Sequence, residues 1–276
     1  MLYTPANEWE WLYDNIASPT LGANNAKGSW VEAVSVANHA NDTFMVAIDV
    51  SAGGAAGLES QALVDIGIDA AGGGSYTVLI PDLITSNGGD GSSGIAAGWI
   101  FYAFPLFIRA GTQIGVRGQT NRTSTFVQSV RVRLYGLPKY PELVKAGSFV
   151  TSFGVDAANS AGTALTPGTA AEGAWTAIGA ATATRLWYWE YGFGVRDTSM
   201  NNRSYQNDIG IGDGSNKFSV INNNRCLTGD TERLNKPCIF PDGWYDAPAG
   251  VNIYARSFCS AAPDSNVSVA VYGVGG

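Results

Sequence analysis

Few residues in this chain are of the types that enzymes use for proton transfer or nucleophilic attack. The only histidine is His39, in the polar segment Ala37-Asn38-His39-Ala40-Asn41. A nucleophile–histidine–acid triad needs that histidine as its base, and no Gly-x-Ser-x-Gly elbow occurs in the chain. A histidine in a polar turn usually has a structural role or is simply solvated. We therefore predict that the protein is not an enzyme and has no catalytic residues.

The residues that could hold a metal ion or a phosphate are also badly spaced for that purpose. Cys226, Cys238 and Cys259 lack the close-pair spacing of a zinc site. The run Gly72-Gly73-Gly74 lacks the Gly-Lys-Ser/Thr ending of a phosphate loop. Cys226 and Cys238 flank a polar loop, which leaves a disulfide between them open. We expect no metal and no cofactor.

An aromatic run from residue 186 to residue 193 is the most suggestive candidate for ligand binding. It reads Leu-Trp-Tyr-Trp-Glu-Tyr-Gly-Phe, and in a strand its aromatic residues at odd positions share one face. That row either stacks on sugar rings or belongs to a core. Two residues at even positions of this run and two residues of a later loop are our candidate ligand contacts: Tyr188, Glu190, Trp244 and Tyr245.

These residues lie in a chain whose second half repeats its first half. Lys-Gly-Ser-Trp, which ends at Trp30, returns as Glu-Gly-Ala-Trp, which ends at Trp175. Asp-Ile-Gly-Ile occurs at residues 65–68 and again at residues 208–211. The landmarks recur in the same order with a slowly falling offset. We infer an internal duplication of one domain, with later loss of loop residues.

The composition indicates that each repeat is an all-β domain. The chain has 276 residues, of which 35 are Gly and only 14% are charged. Short apolar runs separated by turn-forming residues dominate, as in all-β proteins. The Cys-Trp-Cys spacing of an immunoglobulin domain is missing. We predict two tandem antiparallel β-sandwiches of the jelly-roll type, over residues 19–137 and 147–276, joined by a proline-containing linker over 138–146.

Comparison of the two repeats predicts which strand faces are core. The apolar positions of Val130–Gly136 are also apolar in Val267–Gly273, whereas Arg131 and Arg133 are replaced by Ser268 and Ala270. The variable face is therefore the outer one. By the same comparison the row of Trp187, Trp189, Tyr191 and Phe193 aligns with Phe44 and aliphatic residues, so we predict that it is core. Tyr188 and Glu190 then point outward.

The aspartates that begin the two Asp-Ile-Gly-Ile motifs are retained in both repeats. Asp65 and Asp208 are therefore expected to serve the fold, by accepting backbone or hydroxyl hydrogen bonds at the start of a strand.

The first segment, residues 1–18, lies outside the repeat. Its apolar residues Trp9, Leu12, Tyr13 and Ile16 recur at i, i+3, i+4 and i+7, which predicts an amphipathic helix. A helix of about three turns is marginal alone and must bury its stripe. It packs on the first domain as a lid, or it docks on a neighbouring subunit or another protein. We favour a helical docking arm.

The charge and hydropathy of the chain exclude several classes of partner. The formal net charge is −7 and no basic run occurs, which disfavours nucleic-acid binding. No stretch approaches 18 consecutive apolar residues, so we expect no membrane span. The amino terminus lacks the charged and apolar regions of a secretory signal. We expect a protein that is assembled in the bacterial cytoplasm, in reduced form.

Four motifs together resemble a family of virion structural proteins, found in tailed bacteriophages and in gene transfer agents. They are Lys-Gly-Ser-Trp-Val-Glu at 27–32, Val-Asp-Ile-Gly-Ile-Asp-Ala-Ala-Gly-Gly-Gly at 64–74, Val-Leu-Ile-Pro-Asp-Leu at 78–83 and the run Phe104–Arg117. The resemblance implies β-sandwich modules in spikes, fibres or decorations of the particle, sometimes in contact with a receptor or glycan. It carries over no catalytic residue.

These observations favour a structural role in a phage-like particle. We expect a homo-oligomeric head spike, spike base or decoration protein that docks on the capsid or other particle proteins and supports attachment to the cell surface. The alternative is a carbohydrate-binding tail-fibre or baseplate protein. It requires loop aromatics such as Trp244 and Tyr245 to line a cleft.

Overall fold

The computed structural model describes residues 9–50, 60–87, 100–138, 145–195, 204–227, 245–260 and 267–276. Within these ranges the regular structure is β-strand, apart from one 3-10 turn at Val36–Asn38, and no α-helix occurs. All strand pairs of the sheets are antiparallel. The protein is therefore all-β, as predicted.

The described residues of the first domain form ten strands. They are β1 (Trp9–Ala17), β2 (Thr20–Leu21), β3 (Val31–Val34), β4 (Met45–Val50), β5 (Ser60–Asp69), β6 (Thr77–Asn87), β7 (Ile100–Phe104), β8 (Gln113–Thr120), β9 (Phe126–Val127) and β10 (Val130–Pro138). Two four-stranded sheets have the orders β1-β10-β4-β7 and β3-β8-β5-β6, and β2 pairs with β9. The order of the eight sheet strands matches that of a jelly roll.

Nine strands are formed by the part of the second domain that the structure describes. They are β11 (Phe149–Phe153), β12 (Val155–Asp156), β13 (Ala161–Leu165), β14 (Thr176–Ala177), β15 (Leu186–Val195), β16 (Ser204–Gly212), β17 (Lys217–Leu227), β18 (Asn252–Cys259) and β19 (Val267–Gly275). One sheet has the order β14-β18-β16-β17, which follows the same chain order as β3-β8-β5-β6. In the other, β19 pairs with β15 and with β11 and β13, just as β10 pairs with β4 and β1.

Along the last strand of each domain, every second residue is an apolar residue that points into the core. The buried face is the one that comparison of the repeats predicts. Val130, Val132 and Leu134 are fully buried, and so are Val267 and Val269 in the second domain. Each of these rows packs in the interior of its own sandwich. The hydrophobic residues at every second position therefore fix the strand orientation.

Residues 9–17 form a strand, so the predicted amino-terminal helix is wrong there. β1 pairs with β10 along the edge of the first sheet, with register shifts between Trp9 and Trp11 and between Trp11 and Tyr13. These irregularities bring both Leu12 and Tyr13 against the first core, which explains an apolar spacing that resembles a helix. Backbone pairing with a strand edge outweighs a marginal helix. The first domain therefore begins before Pro19.

The two domains share a buried interface. Tyr272 and Val274 of β19 and Tyr188 of β15 belong to the same apolar cluster as the first core. The face of the β15–β19 pair that points away from the second core lies against β6. The backbone of Gly147 also bonds with Pro105 and Phe107 of the first domain. The predicted linker lies mostly outside the described residues, which omit 139–144.

Candidate functional site

His39 is a buried structural residue. Its Nδ1 lies 2.8 Å from the Thr112 carbonyl oxygen and its Nε2 lies 3.0 Å from Thr43 Oγ1. The side chain is 1% exposed, so the ring ties the turn before β4 to the turn before β8. Both ring nitrogens are engaged in the fold, which is the structural role that the sequence favours.

Replacing His39 with Ala is expected to lower the free energy of unfolding by about 1–3 kcal/mol, because two buried polar partners lose their hydrogen bonds. Polysaccharide hydrolysis is expected to stay at background in both proteins. Chemical denaturation and a reducing-sugar assay measure the two effects, with the exposed neighbour Asn38→Ala as the control. Hydrolysis that depends on His39 would contradict the non-enzymatic role.

Asp65 organises a polar cluster at the centre of the β3-β8-β5-β6 sheet. Its Oδ1 accepts hydrogen bonds from Lys27 Nζ at 2.8 Å and from the backbone N–H of Asp82 at 2.9 Å. Its Oδ2 accepts one from Arg117 Nε at 2.9 Å. The Arg117 guanidinium stacks 4.5 Å from the centre of the Trp30 ring. The carboxylate thus accepts backbone and cationic donors, as expected from its retention in both repeats.

Asp208 organises an equivalent cluster in the second domain. It accepts hydrogen bonds from Arg256 Nε at 2.8 Å and from the backbone N–H of Asn223 at 2.6 Å. The Arg256 guanidinium lies 4.5 Å from the centre of the Trp175 ring. Asn223 and its counterpart Asp82 both have φ of 52°, a left-handed conformation that Asn and Asp tolerate better than most residues.

The two clusters differ in charge. In the first, Lys27 also pairs with Asp82, so two carboxylates face two cations. In the second, Glu172 stands where the repeat has Lys27, and Arg256 pairs with both Glu172 and Asp208. Among the described residues, two carboxylates therefore share one cation, which leaves one negative charge of this cluster uncompensated. Burial and then the charge of Asp208 raise the pKa of Glu172.

Neither cluster is a metal site by composition. Within the described residues no group of three or more His, Cys, Asp or Glu side chains is placed to hold a metal ion. Among the same residues Cys259 is a buried free cysteine. Cys238 lies outside them, so the Cys226–Cys238 disulfide is not addressed by the structure.

Tyr188 and Glu190 point away from the second core, as predicted, but neither is exposed to solvent. Tyr188 is 4% exposed and Glu190 is fully buried, because the first domain covers this side of β15. The Tyr188 hydroxyl donates a hydrogen bond of 2.7 Å to Glu190 Oε1. A solvent ligand therefore has no access to either residue.

The aromatic row is core for three of its four residues. Trp189, Tyr191 and Phe193 lie in the second core, as predicted. Trp187 instead joins the first cluster, because a register shift between Leu186 and Tyr188 reverses the alternation there. Its ring lies 4.5 Å from Lys145 Nζ.

The two remaining candidate ligand contacts lie at the start of a described segment. Trp244 is outside the described residues. Tyr245 is 37% exposed, and its carbonyl oxygen accepts a hydrogen bond of 2.6 Å from Trp189 Nε1. Among the described residues the structure therefore brings no second candidate contact beside Tyr245.

Tyrosine hydroxyls close the free edge of β6. The Tyr272 hydroxyl lies 2.7 Å from the Ile84 backbone nitrogen, whose hydrogen it accepts, and 2.9 Å from the Asp82 carbonyl oxygen. The Tyr102 hydroxyl donates to the Ile84 carbonyl oxygen at 2.6 Å. A Cβ added to Gly192 would lie 2.0 Å from Ile84 Cγ2, so glycine permits the close approach of β15 to β6. Edge strands covered in this way cannot pair with other chains.

The equivalent outer face of the first domain is partly buried: Met45, Ala47, Ala103 and Tyr135 on it form a small apolar cluster, with Phe101 packed against it. We call it the β1–β10 face, and it carries Trp11, Asp14, Ile16, Met45, Ala47, Asp49, Phe101, Arg131, Arg133, Tyr135 and Leu137. Trp11 is 54% exposed, Ile16 51% and Leu137 47%. Within the face, Trp11 packs edge-on against Tyr135 with ring centres 5.6 Å apart.

Two ion pairs cross the β1–β10 face. Arg131 donates to Asp14, with Nε and Oδ1 2.7 Å apart, and Arg133 pairs with Asp49. The hydrogen bond from Arg131 lowers the pKa of Asp14, whereas burial raises the pKa of Asp49. The Arg133 guanidinium also lies 5.3 Å from the centre of the Phe101 ring. Charged and apolar groups therefore alternate across this surface.

The edge of β17 is the counterpart of the closed edge of β6. Within the described residues β17 pairs with β16 alone, and Asn222, Asn223 and Arg225 are exposed along it. Phe218, near the start of the strand, is 71% exposed. We call this strand, with the adjoining Asp208 cluster, the β17 edge.

The sequence reasoning missed both surfaces, although it contained signals for them. Tyr135 and Tyr272 occupy the same position in the two repeats. The second of them, Tyr272, bonds through its hydroxyl to the edge of β6. Lys27 of the first repeat is replaced by Glu172 in the second, and this replacement signals that the Asp65 and Asp208 clusters differ in charge. Of the predicted docking residues, Leu12 and Tyr13 pack against the first core, whereas Ile16 is 51% exposed. The Trp9 side chain lies outside the described part of the structure.

Comparison with known proteins gives little. No protein-family model matches the chain, and no curated protein matches it. Among solved structures it is similar to a chain in the atomic structure of Sulfolobus turreted icosahedral virus, with 11% sequence identity and a TM-score of 0.44, over 96% of this chain and 90% of that one. The described part of the chain holds no helix long and apolar enough to cross a membrane. A similarity at this level establishes neither a family nor a function.

Proposed function

We propose that this protein is a non-enzymatic structural component of a virion or phage-like particle, assembled in the bacterial cytoplasm. A head spike, a spike base or a decoration that supports attachment to the cell surface is the position that we favour on it. The motif resemblance at residues 27–32, 64–74, 78–83 and 104–117 supports this proposal. The internal duplication that we infer is supported by the matching sheet orders and by the paired Asp65 and Asp208 clusters.

The observation that carries the proposal is the burial of the face between the two sandwiches. Glu190 and Tyr272 are fully buried there, and Tyr272 is bonded to β6 through its hydroxyl. A joint of this kind holds two domains in one fixed orientation, unlike a linker between independent binding modules. A fixed two-domain block suits assembly, because a regular particle needs subunits of constant shape.

The β1–β10 face supplies the surface for such assembly. Three large apolar side chains, Trp11, Ile16 and Leu137, are about half exposed on one sheet face. Exposed apolar groups that are concentrated in one place and mixed with charges are typical of protein–protein interfaces. We therefore propose that a neighbouring protein of the particle packs on this face. The docking role that the sequence assigned to a helical arm is thereby transferred to the outward side of β1.

A double substitution on β1 tests the proposed function. Trp11→Glu with Ile16→Lys is expected to reduce incorporation into particles at least tenfold, because it places charges in an apolar contact. The variant is expressed in the producing cells, and the protein is quantified in purified particles by immunoblotting. Both side chains are about half exposed, so the fold is expected to persist.

Val36→Glu is the matched control. Val36 is 43% exposed in the first domain but lies in the 3-10 turn, outside the β1–β10 face. This variant is expected to enter particles at the level of the wild type. Full incorporation of the β1 double variant would show that the face is not the docking surface, and absence of the wild-type protein from particles would refute the structural role.

A further inference from the structure

In the first domain, tyrosine hydroxyls occupy a strand edge whose counterpart in the second domain is open. β6 is the last strand of its sheet. The Tyr272 hydroxyl accepts a hydrogen bond from the Ile84 N–H and donates one to the Asp82 carbonyl oxygen. The Tyr102 hydroxyl donates to the Ile84 carbonyl oxygen. These hydroxyls stand where the next strand of the sheet would otherwise pair.

The corresponding backbone groups of β17 are those of Arg225, in place of Ile84, and of Asn223, in place of Asp82. Both strands carry a register shift at this point, and Asn223 and Asp82 have the same φ of 52°. β17 is also the last strand of its sheet. Among the described residues, neither the Arg225 N–H nor the Asn223 carbonyl oxygen has a hydrogen-bond partner outside that sheet.

Arg225 is in addition a cation without a counter-charge. Its side chain is exposed, and none of the ion pairs among the described residues involves it. It stands opposite Gln206 in the strand register, and Gln206 shares its sheet face with Asp208, two positions along β16. The unpaired cation and the cluster with one uncompensated negative charge therefore lie on the same face of the sheet, without contact within one chain.

We propose that two copies of this chain pair their β17 strands in antiparallel orientation, about a two-fold axis at Asn224. The two four-stranded sheets then become one continuous sheet. Arg225 of each copy stands opposite Asn223 of the other, and its N–H donates to that Asn223 carbonyl oxygen. This is the donor–acceptor pair that the Tyr272 hydroxyl bridges on β6. The inference concerns a surface other than the β1–β10 face and does not depend on the proposed function.

The side chains near the axis complement one another in this register. Asn224 meets Asn224 of the other copy, and an amide both donates and accepts hydrogen bonds. Arg225 meets the amide of Asn223. A register centred on Arg225 would instead place two guanidinium groups opposite each other, and like charges in that position destabilise a strand pair. The charge of Arg225 therefore selects the register that is centred on Asn224.

The same register brings each Arg225 toward the cluster of the other copy that lacks a cation. It lies beside Asn223, whose backbone N–H is bonded to Asp208. β16, which carries Asp208, runs two strand spacings, about 10 Å, from β17 of the other copy, and an arginine and a carboxylate side chain together span that gap. Glu172 is one-third exposed beside Asp208. Arg225 then supplies the charge that Lys27 supplies in the first domain.

The strand pair is short, so the dimer is expected to be weak. The register shift between Asn207 and Ile209 marks a bulge in β17, and a bulge interrupts regular pairing. The ladder between copies is therefore confined to the residues from Asn223 onward. We expect a dissociation constant of about 1–100 μM, as for small transient interfaces. Both copies use the same surface, so association is expected to stop at the dimer.

Sedimentation velocity of the full chain from about 1 to 300 μM tests the dimer. The mass is expected to rise from 28.9 kDa to twice that value and no further. Arg225→Glu and Glu172→Lys are each expected to weaken association about tenfold or more, because each opposes like charges across the contact. The double variant exchanges the two charges and is expected to recover association to within about threefold of the wild type.

Lys217→Glu is the matched control for these variants. It is the same reversal of charge on the same strand, on the other side of the bulge, where Lys217 bonds to the Gly214 carbonyl oxygen. Association is expected to change by less than about twofold. Circular dichroism of every variant measures folding, and Glu172→Lys introduces the residue that the first domain has at that position.

A cysteine at the axis gives a test that does not depend on charge. Residues that face each other in an antiparallel pair have Cα atoms about 4.5–5.5 Å apart, which suits a disulfide. Asn224→Cys is therefore expected to form a covalent dimer on mild oxidation, seen on a non-reducing gel. Ser215→Cys, at the exposed tip of the β16–β17 hairpin, and the wild type with its native cysteines are expected to stay monomeric there.

A wild-type protein that stays monomeric at about 300 μM would overturn the proposal, since a contact with a dissociation constant of about 100 μM is populated at that concentration. Species larger than the dimer, or a double variant that associates no better than its parents, would contradict the two-fold contact through Arg225 and Glu172. None of these results bears on the incorporation of the Trp11 and Ile16 variant into particles, so the proposed function is judged separately.

Discussion

Trp189→Ala is expected to lower the free energy of unfolding by about 3–5 kcal/mol, the range for truncation of a buried aromatic residue. Trp189 is 4% exposed in the second core and packs against Phe153 with ring centres 6.2 Å apart. Its indole also donates to the Tyr245 carbonyl oxygen, so the substitution removes apolar contacts and leaves a carbonyl without its partner. Urea denaturation followed by circular dichroism measures the loss.

Tyr245→Ala is the control for this prediction, because its side chain is more than one-third exposed. It is expected to change stability by less than about 1 kcal/mol, as exposed substitutions generally do. Glycan binding, measured on an array for both variants, is expected to be unchanged. An undiminished stability of Trp189→Ala together with a loss of glycan binding would mean that the aromatic row is a binding ladder.

Asp65→Ala is expected to lower the free energy of unfolding by about 3 kcal/mol, since it leaves the Arg117 guanidinium without its buried counter-charge, while Lys27 keeps only Asp82 as a partner. The Asp65 side chain is 3% exposed and faces Lys27 and Arg117. Its removal also leaves the backbone N–H of Asp82 without its acceptor. The Lys27 and Arg117 side chains are about one-quarter exposed. The loss of stability is therefore expected at the lower end of the range for breaking a buried ion pair. Urea denaturation gives the value.

Asp208→Ala is the matched comparison from the second domain. There Arg256 retains Glu172 as a partner, and removal of Asp208 relieves the repulsion that, after burial, raises the pKa of Glu172. The loss of stability is therefore expected to be smaller than for Asp65→Ala by at least about 1 kcal/mol. Equal losses would contradict the assignment of an uncompensated charge to the second cluster.

The fold was predictable wherever the repeat could be compared with itself. Val130 and Val267 are apolar in both repeats and buried in both domains, while Arg131 and Ser268 alternate with them on the outer faces. Two copies of one pattern separate the positions that the core constrains from those that it leaves free. The strand faces and the role of Asp65 follow from that comparison, and the all-β class follows from the composition.

The amino-terminal strand could not be predicted in the same way. The repeated sequence motifs begin after residue 18, so only local spacing was available for residues 1–18, although the structure shows that β11 is the counterpart of β1 in the second domain. The spacing from Leu12 to Ile16 fits a helix as well as it fits a strand with bulges, and the edge of β10 decides between them. That edge is a tertiary feature, formed by residues more than 100 positions away along the chain.

The burial of the candidate ligand contacts Tyr188 and Glu190 could not be predicted for a related reason. Alternation places Tyr188 and Glu190 outside the second sandwich, which is correct, but outside a sandwich is not the same as exposed to solvent. The packing of one domain on the other buries both. A single strand pattern reports which side of its own sheet a residue occupies, and carries no information about the next layer.

The central claim is that this protein is a structural part of a particle. Electron cryo-microscopy of particles from cells with and without the intact gene tests it most directly. A peptide tag inserted at Gly214, where a side chain would meet nothing within 4 Å, identifies the protein in the images. We predict tagged density of two sandwiches at regular positions on the particle surface, and its loss when the gene is deleted. Complete, unlabelled particles in both preparations would contradict the claim.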